Sequence, residues 1–315
     1  ATEIVCALGL KDALVGRSHE CDFPGGLDHV PMLSKPRLDI TANSGTIDRD
    51  VKGLLSQGLS IFEVDAQALR SVAPDIIITQ SQCEVCAVTP EDLTAALHTW
   101  TGTAPSIISL APNTLAQVWQ SFLDTANALE VPDAGQSLVQ GIERRLAALS
   151  KDAANRLDTE HRPTVACIEW LDPLMIAGNW VPELVHAAGG HALLAEPGAH
   201  SAWLDDGIDK GTDEGLGNDA LTASDPDAVV VMPCGFDRAR SHREALDTQS
   251  RTRWIPPRAL AAGHIAITDG HQYFNRPGPR LVDSVEILVE ILHSRLTPQG
   301  AGNHYGHGWT WLKHR

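Results

Sequence analysis

Two stretches of the chain share one plan. Ala73-Pro74-Asp75 leads into Ile76-Ile77-Ile78, and Asp225-Pro226-Asp227 leads into Ala228-Val229-Val230-Val231. Each apolar run ends in a loop bearing a cysteine, Cys83 in one and Cys234 in the other, and the two prolines stand nearly half a chain apart. Unbroken apolar runs bounded by polar turns suit strands buried on both faces of a parallel sheet. The repeat distance is too long for a solenoid and predicts a duplicated domain plan instead. A chain of 315 residues has the length of two ordinary domains, which agrees.

Further strands are expected at 13–16, 61–64, 106–110, 164–168 and 265–268, with helical patterns between them, so both halves read as α/β layers. Between the halves, Asn113 or Thr114 can cap a helix in which Leu115, Val118, Trp119, Phe122, Ala126 and Leu129 recur at helical spacing. The helix is expected to continue after Val131-Pro132-Asp133 through Leu138 to Leu149, so the connector is helical rather than a flexible linker. A last long helix starts at Pro279, with Leu281, Val285, Leu288 and Leu292 on one face. The expected organisation is an N-terminal lobe at 1–112, a connecting helix at 113–160, a C-terminal lobe at 161–296 and a tail at 297–315. In the second half a strand at 164–168 precedes Val185-His186-Ala187-Ala188-Gly189-Gly190, whereas the matching Cys6-Ala7-Leu8-Gly9 comes almost at once. The N-terminal lobe is therefore expected to lack its first strand, as in a truncated or processed chain.

Composition excludes several classes. Lys+Arg number 24 against 40 Asp+Glu, a formal net charge of -16 that would repel a phosphate backbone, so nucleic acid is not an expected partner. No apolar run reaches the roughly 18 to 20 residues of a spanning helix, so the chain is not expected to cross a membrane. The opening Ala-Thr-Glu-Ile-Val-Cys lacks the basic start and long apolar stretch of a secretory signal. Six cysteines, Cys6, Cys21, Cys83, Cys86, Cys167 and Cys234, are compatible with disulfides without requiring them. Cys167, inside an expected strand, reads as a small buried hydrophobe.

The loop after the strand at 76–79 carries Gln82, Cys83, Glu84 and Cys86, at the carboxyl end where open α/β sheets place ligands. A single Cys-x-x-Cys is compatible with metal, redox or plain loop roles, and His19-Glu20-Cys21-Asp22 reads first as a turn. The second half concentrates aromatic residues near strand ends: Trp170, Trp180, Trp203, Phe236, Tyr273 and Phe274. Such residues suit the wall of a cleft for a large, partly apolar ligand, and core packing is the competing reading. His200, in a loop beside Trp203, could serve as an axial ligand to a metal-bearing compound or simply face solvent. No nucleophile elbow, phosphate loop, glycine fingerprint or paired-histidine zinc helix occurs, so no catalytic residue and no metal site are assigned.

Several phrases resemble the cobalamin- and iron-siderophore-type substrate-binding proteins of ABC transporters. They are the opening through Gly9, the loop from Gln80 to Cys86, Glu169-Trp-Leu-Asp-Pro173, Gly178-Asn-Trp180, Pro233-Cys-Gly-Phe-Asp237 and Tyr273-Phe-Asn-Arg-Pro-Gly-Pro-Arg280. They look most like the subgroup generally described as cobalamin-binding. The resemblance implies two Rossmann-like α/β lobes with mostly parallel sheets, joined by a long rigid helix, with ligand held in a cleft between the lobes. It also implies a strand directly before the opening residues. Carried over motif by motif, the ligand contacts are Gln82, Cys83 and Glu84 in the first lobe. In the second they are Trp170, Asp172, Trp180, His200, Trp203, Phe236, Tyr273, Phe274 and Arg276. The implied function is non-enzymatic: capture of cobalamin (vitamin B12) or a related corrinoid, one to one, for delivery to an ABC transporter permease. The alternatives are the same fold binding an iron siderophore or haem, or a metal- or thiol-dependent enzyme. Location follows export: periplasmic or cell-surface if the chain is exported, cytoplasmic if the missing signal was never there.

Overall fold

The computed structural model describes residues 1–82, 88, 90–97, 104–156, 162–204, 220–252, 255–293 and 302–312. The chain divides into two compact units, one of Ala1–Pro112 with Ala116–Gln140, the other of Asn113–Leu115 with Gly141–Arg315.

Unit 1 contains α1 (Thr2–Ala7), β1 (Ser34–Pro36), α2 (Ser44–Ser56), β2 (Phe62–Val64), α3 (Ala66–Val72), β3 (Ile76–Gln80), α4 (Pro90–Leu97), β4 (Ser106–Leu110) and most of α5 (Leu115–Ala128). The helix starts follow from capping side chains: Asn43 accepts from Thr46 N–H before α2, and Asp65 accepts from Gln67 and Ala68 N–H before α3. β3 and β4 pair in parallel, from Ile76 opposite Ser106 to Gln80 opposite Leu110, while β1 and β2 form a separate antiparallel pair. The stretch expected as a strand at 13–16 is instead a 3-10 turn at Lys11–Ala13 followed by a lone bridge from Arg17 to Met32. A strand is held only by its ladder, and among the described residues no sheet includes 13–16. α6 (Pro132–Arg156) follows a break at Glu130, whose φ of 59° ends α5, so the described residues 113–156 hold two helices.

Unit 2 is built on one mixed sheet with parallel strands at its centre. Its elements are β5 (Thr164–Leu171), β6 (Leu174–Ile176), α7 (Val181–Ala187), β7 (His191–Ala192), β8 (Ala202–Trp203), α8 (Ala220–Ser224), β9 (Ala228–Val231), α9 (Arg238–Thr252), α10 (Pro257–Ala262), β10 (Ile265–Thr268), α11 (Leu281–His293) and β11 (Trp309–Trp311). The sheet order is β11-β10-β9-β5-β6-β8, with β7 also on β5; β10–β9, β9–β5 and β5–β7 pair in parallel, whereas β5–β6 and β6–β8 are antiparallel. Every residue of β9 and β10 is buried, as their unbroken Val and Ile runs require. Ile168, Leu171, Ile176, Val229, Val231, Ile265 and Ile267 form the centre of the core. The tail is part of this sheet: β11 pairs antiparallel with β10, Trp309 opposite Thr268 and Trp311 opposite Ala266.

The duplication is visible in backbone detail. Gly9 and Gly189 both follow a short helix at positive φ, 83° and 87°. Around them Leu10 N–H bonds Val5 C=O and Gly190 N–H bonds Val185 C=O, the same helix-ending turn twice. A side chain at either position would carry a left-handed penalty that glycine avoids. The two lead-ins behave alike as well, with Ala73 and Asp225 left-handed at φ 44° and 38°, each directly before its proline. One difference separates the halves. β9 has a parallel neighbour on each side, whereas among the described residues β3 has only β4.

Candidate ligand-binding site

Because β5, β9 and β10 are adjacent and parallel, their carboxyl ends and the loops that follow lie side by side on unit 2. Trp170 sits within β5, one residue before its end, where an irregularity between Ile168 and Trp170 shifts the register. Bulges of this kind turn a strand end and re-aim its side chains. Trp170 is opposite Met175 in β6, and Met175 is opposite Trp203 in β8. Directly opposed residues share a sheet face, so Trp170, Met175 and Trp203 form a row, and all three are half-buried. The Trp170 ring lies 5.2 Å from that of Phe236 after β9, and the Arg240 guanidinium covers the Phe236 ring at 3.5 Å.

The loop after β10 is tied to its neighbours through hydrogen bonds. Asn275 Nδ2 donates to Met232 and Gly270 carbonyls at 2.8 and 2.9 Å, and His271 N–H donates to Phe236 C=O at 3.0 Å. The Arg276 guanidinium lies 3.1 Å from the His271 ring. Tyr273 meets the His304 ring edge-on at 5.9 Å. Asp269 accepts from Gln272 N–H at 2.8 Å, and burial pushes its carboxyl above the usual Asp range.

A second tie joins the loops at 178–180 and 198–201. Asn179 N–H donates to Ala199 C=O and Gly198 N–H to Asn179 C=O. A Cβ at Gly178 would stand 2.5 Å from Ala199 O, so only glycine permits this approach. Ser201 Oγ accepts from Gly178 N–H at 3.1 Å and donates to the Glu169 carboxylate. Burial pushes the Glu169 carboxyl upward, and the Ser201 bond offsets part of that.

Three residues expected on the wall are buried within unit 2. Trp180 precedes α7, is 3% exposed, and donates its Nε1–H to Phe274 C=O at 2.6 Å. Phe236 and Phe274 are 2% and 0% exposed. Aromatic rings after strand ends need not face a crevice when neighbouring loops fold over them. Trp170, Asp172, Trp203, Tyr273 and Arg276 are half-buried and His200 is exposed. Gln82 is half-buried after β3 in unit 1, while Cys83 and Glu84 lie outside the described residues. Sequence reading passed over Met175, Ser201, Arg240 and Asn275; only Asn275 stood in a phrase that drew notice. Among the described residues no group of three or more His, Cys, Asp or Glu is arranged to hold a metal ion, and no helix is long and apolar enough to cross a membrane.

A family model described as periplasmic binding protein matches residues 1–270. Solved structures share the fold over nearly all of the chain. A periplasmic haem-binding protein from Pseudomonas aeruginosa is 19% identical, with TM-score 0.66, covering 92% of this chain and 88% of its own. The periplasmic vitamin B12 binding protein BtuF of Vibrio cholerae is 16% identical, with TM-score 0.60, covering 94% of each chain. An ABC-type Fe3+-hydroxamate transport system protein from Saccharomonospora viridis is 16% identical, with TM-score 0.61, covering 92% of this chain and 89% of that one. No curated protein sequence matches the chain.

Proposed function

Since the chain belongs to the periplasmic binding protein family, we propose that it captures a metal-chelate ligand, cobalamin or a related corrinoid, and hands it to an ABC transporter permease after export. The row of Trp170, Met175 and Trp203 beside Phe236 and Arg240 carries this reading. It offers a broad apolar strip with a polarizable thioether at its centre and a cation at its edge. A planar macrocycle with polar fringes suits a strip of that character. The role is binding, not catalysis.

Haem and a ferric siderophore are supported equally, since the structural relatives include proteins described as binding haem, vitamin B12 and Fe3+-hydroxamate. Arg240 favours a ligand with an anionic fringe, which haem carboxylates would supply. Absorption titrations of the ligand-free protein with cyanocobalamin, haemin and a ferric hydroxamate separate the three. One should saturate at one per chain, and Trp170→Ala should weaken it by about 5- to 150-fold, as for a buried aromatic anchor worth about 1 to 3 kcal/mol. Saturable binding of none of them refutes the ligand class, and binding untouched by Trp170→Ala refutes the site.

A further inference from the structure

The tail folds a histidine pair against α11. His304 Nε2 lies 3.1 Å from Glu286 Oε2, and Arg145 holds the same carboxylate from the other side, Nη2 to Oε2 at 2.7 Å and Nε to Oε1 at 3.1 Å. An ionised carboxylate only accepts, so His304 donates from Nε2, and in the neutral imidazole Nδ1 is then the acceptor. Nδ1 of His304 is buried and meets no hydrogen-bond partner among the described residues. A buried bare acceptor is costly unless something fills it.

The filling group is indicated by what stands next to it. The His307 ring lies 5.6 Å from the His304 ring, centroid to centroid, tilted by 38°. Two imidazoles on one tetrahedral zinc, with Zn–N about 2.0–2.1 Å, would have centroids about 5 Å apart, close to the observed separation. The backbone between them is fixed: His304 C=O accepts from Gly308 N–H at 2.8 Å, and His304 N–H donates to Glu290 Oε1 at 3.0 Å. A carboxylate on the far nitrogen of a histidine is the arrangement that orients metal-binding imidazoles.

We propose that His304 Nδ1 and the His307 imidazole bind a divalent transition ion of the imidazole-preferring class, zinc, nickel or copper, with Glu286 as the orienting carboxylate. The protein supplies two nitrogens and water completes the sphere, so a chelator should empty the site. This site is independent of the chelate ligand proposed above.

The test uses the full chain after chelator treatment. Zn2+ alone is titrated by calorimetry and Cu2+ alone is followed by electron paramagnetic resonance, with melting temperature confirming that each variant folds. One ion per chain and a copper spectrum with nitrogen couplings are expected. His307→Ala, at an exposed ring, should abolish the saturable phase, and Glu286→Gln should weaken it about 10- to 100-fold. No saturable binding of either ion to the wild type overturns the proposal. So does binding unchanged in His307→Ala, or binding lost instead in the His186→Ala, His191→Ala double variant, where a second stacked pair stands 6.1 Å apart.

Discussion

Trp180 tests whether the aromatic residues after the strand ends hold ligand or hold the lobe. Its indole is 3% exposed, and its Nε1–H donates at 2.6 Å to the Phe274 carbonyl, on a loop 94 residues away in sequence. Phe274 is anchored in turn, its N–H donating to Ser284 Oγ at 3.0 Å. Trp180→Ala removes the ring and leaves that carbonyl without its donor, at a cost of about 3–5 kcal/mol for a buried Trp. Trp180→Phe keeps an apolar ring and isolates the hydrogen bond, worth about 1–3 kcal/mol when the remaining partner stays buried. For a unit of this size each kcal/mol lowers the melting temperature by about 2–4 °C, so Ala should cost about 6–20 °C and Phe about 2–12 °C. Differential scanning calorimetry of ligand-free wild type and both variants reads this directly. If both melt within about 1 °C of wild type while ligand affinity falls, Trp180 is a ligand anchor and the structural reasoning fails.

Glu169, with its carboxyl pushed up by burial, holds a proton in the folded chain to higher pH than in the unfolded chain. Stability is therefore lost as pH rises from the ordinary Glu value of 4.5 toward the raised one, and Glu169→Gln should flatten that part of the melting-temperature profile; equal slopes in the two proteins would count against it. Burial pushes the Cys167 thiol up to about 12, so iodoacetamide at mildly alkaline pH should leave Cys167 unmodified in the native protein and label it in denaturant, as peptide mass mapping would show. Trp309, fully buried with Nε1–H on Glu290 Oε2 at 2.6 Å, makes the tail part of the fold. Trp309→Ala should lower stability by about 3–5 kcal/mol in denaturant melts, and a loss under about 1 kcal/mol would mean that the tail only rests on the sheet.

The parallel strands were legible because their burial on both faces writes itself as an apolar run. Expected and observed strands coincide at Ser106–Leu110, Ala228–Val231 and Ile265–Thr268. Short strands such as β6, β8 and β11 were not legible. With two or three residues each, they owe their conformation to the neighbouring strand rather than to any pattern of their own. The same limit explains the site. Sequence showed which phrases end strands, hence Trp170 and Phe236, which the structure brings to 5.2 Å. It could not show that the β5 irregularity and the β6–β8 ladder align Met175 and Trp203 with Trp170, since register is a tertiary property.

The duplicated plan also accounts for the uneven burial of the two units. In unit 2, β9 is enclosed by β5 and β10, and all four of its residues are buried. In unit 1, β3 opens with a similar apolar run, Ile76-Ile77-Ile78, but pairs only with β4 among the described residues, and only Thr79 of its five residues is buried. Ile107 on β4 is 41% exposed. Parallel strands of this composition are found buried in larger sheets, because a two-stranded ribbon cannot cover its own apolar faces. The shared Pro-Asp lead-ins and the like helix-ending turns around Gly9 and Gly189 show that local instructions recur in both halves. What differs is the neighbour on the far edge of the strand, so the burial of a strand in this fold is set by its place in the sheet as much as by its own residues.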